Sequence, residues 1–116
     1  MAQRTDNVAG NFFEPFIRNR LRLNPQIIAA GGAQAVIVAT AGPAVFCDPG
    51  GAGIDLLLPA EAEGLAFVIF NTADAAEAIA VKEDSDTTTI ITLDQNQAGL
   101  VVCDGTTWRG FIGGIT

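Results

Sequence analysis

The sequence predicts an all-β fold: a small antiparallel sandwich or jelly-roll-like barrel, preceded by an extended N-terminal arm. Three observations carry this expectation. Short β-rich runs recur at nearly even spacing through residues 54–113, split by proline, glycine, asparagine and aspartate, the pattern of a small sandwich or barrel. No stretch between 34 and 116 demands a helix longer than about two turns. The first 26 residues differ from the rest in charge and aromatic content. The expected organisation is therefore a docking arm, residues 1–26, and one β body, residues 27–116.

In the arm, Phe12, Phe13 and Phe16 are three of the seven phenylalanines and surround Glu14 and Pro15. Ile17 to Leu23 then alternates with a period of two. As a strand it places Arg18, Arg20 and Arg22 on one face and Ile17, Leu21 and Leu23 on the other. Asn24 and Pro25 end it, because a residue before proline resists helix and proline cannot donate to a ladder. A helix over 12–22 is the competing reading, which Pro15 weakens only near its start.

Gln26 to Ala35 reads as a connector or a loosely formed strand. Gln34 to Thr40 is an expected strand, ended by Gly42 and Pro43, and Val45 to Cys47 is a short one. The glycines at 50, 51 and 53 supply positive-φ positions for a turn. They do not make a phosphate loop, since no Gly-Lys-Ser/Thr follows and a strand comes next. Ile54 to Leu58 is a strand stopped by Pro59. Leu65 to Phe70 is the most apolar strand and is expected at the centre of its sheet. Asn71 to Glu77 reads as a wide turn or a single helical turn. Ile79 to Val81, Thr87 to Leu93, Leu100 to Cys103 and Thr107 to Ile112 complete the strands, and Asp104-Gly105 marks a hairpin between the last two.

At 116 residues the chain supports one compact domain with a modest core. Its 49% apolar content and mean hydropathy of +0.36 exclude a disordered chain. They exceed what a small isolated domain easily hides, which predicts burial against another subunit. The longest apolar runs are far too short to span a bilayer, so no membrane partner is expected. Met1 to Asn11 is polar, which predicts no signal peptide and synthesis in a cytoplasm.

The net charge of −7 is unevenly placed. Residues 1–22 hold four arginines against two acids, a net +2, and residues 23–116 hold Lys82 and Arg109 against eleven acids, a net −9. Such a body repels phosphate backbones, and no nucleic-acid partner is expected. The arm has two readings, an edge strand of the body or a segment that docks on a partner. The charge split favours docking, with the phenylalanines as anchors and the arginines as charge-assisted donors.

Reactive constellations are scarce. The chain has no histidine, which removes the common Ser-His and Cys-His means of activating a nucleophile. Asp104 beside Cys103 raises the thiol pKa and disfavours attack. Cys47 and Cys103 are expected as free buried thiols, too few for a structural zinc site. Glu61 and Glu63 read as a solvated turn. Glu83 to Asp86 offers hard oxygen ligands but lacks the spacing of a calcium loop and reads as a solvated charge cluster. No enzyme activity, metal or cofactor is expected. Asp104 to Trp108 has two readings: a structural hairpin that anchors the only tryptophan, or a glycan contact with Trp108 stacking on a sugar ring.

The order of motifs in the body is similar to that of small β modules in tailed-bacteriophage virion proteins. The matching elements are a strand ending in Leu58-Pro59, then Glu63-Gly64-Leu65, a strand ending in Asn71, and Ile79-x-Val81. Leu100-Val-Val-Cys-Asp-Gly-Thr-Thr-Trp108 resembles their closing hairpin. The resemblance covers about residues 54–113 and leaves the arm unmatched. It implies an oligomer, usually a trimer, on a virus particle, and a capsid decoration (cement) protein most of all, because no fibre shaft is present. On that reading the partners are other copies of the chain and the major capsid protein, and the location is the capsid exterior. Phe12, Phe13, Phe16, Arg18, Arg20 and Arg22 are then the expected interface residues. The alternative is a head- or tail-fibre module that binds a host receptor or carbohydrate through Trp108.

Overall fold

The computed structural model describes residues 25–114. The expectations for Phe12, Phe13, Phe16, Arg18, Arg20 and Arg22 fall outside the described residues. Within them no helix forms, and the strands are β1 (Gln26–Ala29), β2 (Gln34–Val36), β3 (Ala44–Asp48), β4 (Ile54–Leu57), β5 (Ala66–Asn71), β6 (Ile79–Lys82), β7 (Thr89–Leu93), β8 (Gln97–Cys103) and β9 (Trp108–Gly114). They form a five-stranded sheet, β1-β3-β5-β8-β9, and a four-stranded sheet, β2-β4-β6-β7. The all-β expectation holds, and β5 stands at the centre of its sheet as its apolar run predicts.

Strand direction departs from the expectation. The sequence predicts antiparallel sheets, whereas β1, β3 and β5 run parallel, as do β2, β4 and β6. The chain passes from one sheet to the other after every strand up to β6. Each return therefore enters its sheet in the same direction, with a strand of the opposite sheet serving as the crossover that parallel pairing needs. The result is three stacked rungs, β1–β2, β3–β4 and β5–β6. Only the pairs β5–β8, β6–β7 and β8–β9 are antiparallel. Both sheets also stay open instead of closing into a barrel.

Inward-facing side chains meet in rows set by the register. Ile54, Ile79 and Leu93 are opposite one another in the four-stranded sheet, as are Leu56, Val81 and Ile91, and in the five-stranded sheet Val45 lies opposite Ile69. All are buried, and each such aliphatic side chain contributes about 1.5–3 kcal/mol. At one end the core is sealed by β7 lying over β8 and β9. The seal depends on Gly99, where a Cβ would collide with Cδ1 of Ile91. At the other end β1 and β2 are unpaired edges among the described residues, and Ile27, Val36 and Val38 are exposed there.

Two inward amides hold the corners between sheets. Gln26 belongs with the body and not with the arm: it opens β1, its Nε2 donates to Val38 O (2.9 Å) and Gly42 O (3.0 Å), and its Oε1 accepts from Val38 N (3.0 Å). Asn71 ends β5. Its Nδ2 donates to Glu77 O (2.8 Å) and Leu93 O (3.0 Å), and its Oδ1 accepts from Ala73 N (2.9 Å). One buried side chain thus ties the five-stranded sheet to the starts and ends of two strands in the other. The segment between Asn71 and β6 forms bends held by these bonds, not a helical turn.

Asn71→Ala leaves two buried carbonyls and one N–H without partners, and should destabilise the fold by about 2–4 kcal/mol. Gly99→Ala should cost about 1–3 kcal/mol through overpacking. Gly113→Ala meets nothing within 4 Å and serves as the control, expected within about 0.5 kcal/mol of wild type. Urea denaturation midpoints compare the three.

Candidate interaction surface

Cross-strand neighbours in a pleated sheet point to the same side, so the register identifies what the five-stranded sheet shows on its outer face. One row runs Ile27, Phe46, Phe70, Ala98, and the next runs Ala44, Val68, Leu100, Phe111. A third holds Ala66 and Val102, ending at Arg109. Phe46 and Phe70 stack with ring centroids 4.8 Å apart and planes 10° from parallel. Ile27 is 80% exposed and Phe111 67% exposed, with Val68 and Val102 also open to solvent. Along these strands only Asp48 and Arg109 carry charge on this face, and both stand at its margins. This sheet is apolar on both sides.

The four-stranded sheet shows the opposite character. Its outer rows are Gln34, Asp55, Ala80, Thr92 and Val36, Leu57, Lys82, Thr89. Lys82 Nζ bridges Asp55 (3.1 Å) and Asp86 (3.2 Å), and Gln34 Nε2 donates to Asp86 (3.1 Å). Hydrogen bonds that the Lys82 ammonium donates to these two carboxylates raise its pKa above its ordinary value. In the adjoining turn the hydroxyls of Ser85 and Thr87 both donate to Glu83 and lower its pKa. In and beside this turn, Glu83 is held by two local hydroxyls and Asp86 by Lys82 and Gln34.

The five-strand rows span about 19 Å across the strands, from a spacing of about 4.8 Å. Three rows of side chains make a patch of roughly 350 Å², within the size range of the largest, often functional, patch on a small protein. A standard interface takes about 800 Å² from each partner. The face therefore suits association but supplies only part of a stable contact.

Comparison with known proteins finds no matching family model, curated relative or solved structure.

The residues singled out for chemistry are placed as follows. Trp108 is 3% exposed, its Nε1 donates to Pro59 O (3.2 Å), and its ring lies 6.1 Å from that of Phe67. A ring so enclosed offers no face to a sugar, so the glycan contact is corrected to the structural role. Asp104 caps the hairpin: its Oδ1 accepts from Thr106 N and Thr107 N, which lowers its pKa, and Gly105 takes the positive φ of 108°. Cys47 and Cys103 are free and buried. Burial, with the nearby Asp48 charge second, pushes the Cys47 thiol up to about 11, so at neutral pH it is not a nucleophile. Among the described residues no three histidine, cysteine or acidic side chains gather to hold a metal ion, and no helix is long and apolar enough to cross a membrane.

The apolar outer face is the candidate feature that reading for reactive groups misses. Its signal is present: Leu65 to Phe70 and Leu100 to Val102 are apolar at both parities, as strands covered on both faces are.

The Cys47 shift gives a pH prediction. Below pH 9 the thiol is protonated in both folded and unfolded chains. Between pH 9 and about 11 the unfolded chain releases the proton first, so stability should fall over that window. Urea midpoints at pH 8 and 10.5 should differ more for wild type than for Cys47→Ala.

Proposed function

We propose that this chain is a structural protein of a tailed-phage virion, an oligomer that binds the outer surface of the capsid and stabilises the shell. The motif order over 54–113 points to this class and implies a trimer. The single observation that carries the reading is the uncharged apolar outer face of the five-stranded sheet. A body of net charge −9 repels its own copies through any charged surface. Through this face copies can meet, or meet the shell, without opposing like charges.

In this reading the body caps the junction between capsomers. Phe12, Phe13, Phe16, Arg18, Arg20 and Arg22 grip the major capsid protein or the adjacent protomer. Each contact is modest, but one oligomer engages several shell subunits at once, and the linked contacts act with a high effective concentration. The function requires shape, an anchor and a neutral face. The buried thiols and the Lys82-centred ion pairs of the described residues are consistent with it.

Two variants test the proposal by co-sedimentation with undecorated capsids. Phe111→Asp, at an exposed position, should fold normally yet weaken self-association and capsid retention by about tenfold or more, because it places a charge in the apolar patch. Deleting residues 1–23 should abolish retention. Unchanged retention for both variants would sink the reading.

A further inference from the structure

The strands of the five-stranded sheet put one charge of each sign on its outer face, Asp48 and Arg109, at opposite corners. Phe46, Phe70, Ala98 and Gly113 share one row. Asp48 is two residues beyond Phe46 on β3, and Arg109 is four residues before Gly113 on β9. Six residues along the strands span about 20 Å, and the three strand spacings from β3 to β9 add about 14 Å across them. The corners are therefore about 25 Å apart. Surface charges act over only about 8 Å at physiological salt, so these two do not pair within one copy.

Both corners are prepared for a partner. Among the described residues, ion pairs form only around Lys82, on the other sheet. Arg109 is the one cation of residues 25–114 outside that network, and it is exposed. The neighbouring Asp104 is committed to the N–H groups of Thr106 and Thr107. Asp48 Oδ1 accepts from Gly50 N (3.0 Å), which orients the carboxylate. One such bond leaves an ionised carboxylate with acceptor capacity for a guanidinium.

What covers this face must be apolar over three rows, with a base to meet Asp48 and an acid to meet Arg109. A second copy of the chain has that pattern. Consider a cyclic assembly about an axis that lies along the face, at right angles to the Asp48–Arg109 diagonal. It brings Asp48 of each copy to Arg109 of the next. The same rotation carries Ile27 toward the Val102 end of the neighbouring face and keeps like charges apart. Two-fold and three-fold assemblies both satisfy it, so the trimer implied by the motif order is one solution. Two apolar patches bury roughly 700 Å² together, below the about 1,200 Å² at which standard interfaces begin. The charged corners extend the contact to the margins and fix its orientation.

We propose that the outer face of the five-stranded sheet packs on the same face of a neighbouring copy, with Arg109 of one copy donating to Asp48 of the next. The inference rests on the oligomer reading above, and it names the occupant of the face and the pair that orients it.

Charge reversals test it by sedimentation velocity on the full chain, with urea midpoints checking that each variant folds. Asp48→Lys and Arg109→Glu should each weaken self-association by about tenfold or more. A reversal moves the net charge of −7 by two, to −5 in one variant and −9 in the other, so losses in both do not come from overall charge. The double variant Asp48→Lys/Arg109→Glu should return to within about threefold of wild type and should not co-assemble with it. If Asp48→Lys unfolds through its lost bond to Gly50, Asp48→Asn keeps an acceptor there. Combined with Arg109→Gln it should then associate no more weakly than either neutral variant alone. Unchanged association in Arg109→Glu, where Phe111→Asp lowers it, overturns the pair and leaves the oligomer reading intact. Additive losses in the double variants overturn the pairing between copies. A wild-type chain that stays monomeric yet is retained on capsids puts the shell on this face and overturns the inference.

Discussion

The Asn71 side-chain amide is the interaction on which the rest of the structure depends. Its three hydrogen bonds join the end of β5, the start of the β6 approach and the end of β7. That is the point where the parallel rungs give way to the antiparallel closing strands. If the amide were absent, β7 would lose its hold on the corner, and with it the register that sets Ile91 and Leu93 over Gly99. The same bonds fix the backbone of Glu77 and Leu93, so the turn before β6 and the end of β7 share one support. A buried amide is well suited to this place, because it satisfies two carbonyls and one N–H that no ladder reaches.

The two outer faces then divide the physics between them. One sheet spends its outward positions on a Lys82-centred charge network that water screens, and it keeps the acidic body soluble. The other spends them on Ile27, Phe46, Phe70, Val68, Leu100, Phe111 and Val102. Strong net charge keeps proteins apart, and a neutral apolar face brings them together only in the orientation that buries it. This combination favours a defined assembly over indiscriminate aggregation.

Much of this was legible in the sequence. Alternation and punctuation located the strands from Gln34 onward, the unbroken run at 65–70 marked the central one, and Asp104-Gly105 marked the single hairpin of that type. Strand direction was not legible, because a period of two is the same in parallel and antiparallel ladders. Turns such as 49–53 and 60–64 therefore did not show which sheet the next strand joins, and they are corners leading into the opposite sheet. Gln26 stood at the boundary between the arm and the segment 26–35, and its value lies in bonds to residues 38 and 42. Trp108 carried two readings, a hairpin anchor or a glycan contact, and its parity in β9 puts it inside. Glu77 gave no signal at all: it sits in an alanine-rich segment, yet the fold buries it.

Hydroxyl-radical footprinting of the full-length protein, assembled and diluted to single copies, tests most directly the claim that the neutral face is the surface buried on assembly. The account predicts strong protection of Ile27, Phe111 and Val102 in the assembled form, with Val36 and Leu57 on the other sheet unchanged. Equal labelling of Phe111 in both states, or protection confined to the four-stranded sheet, would contradict it.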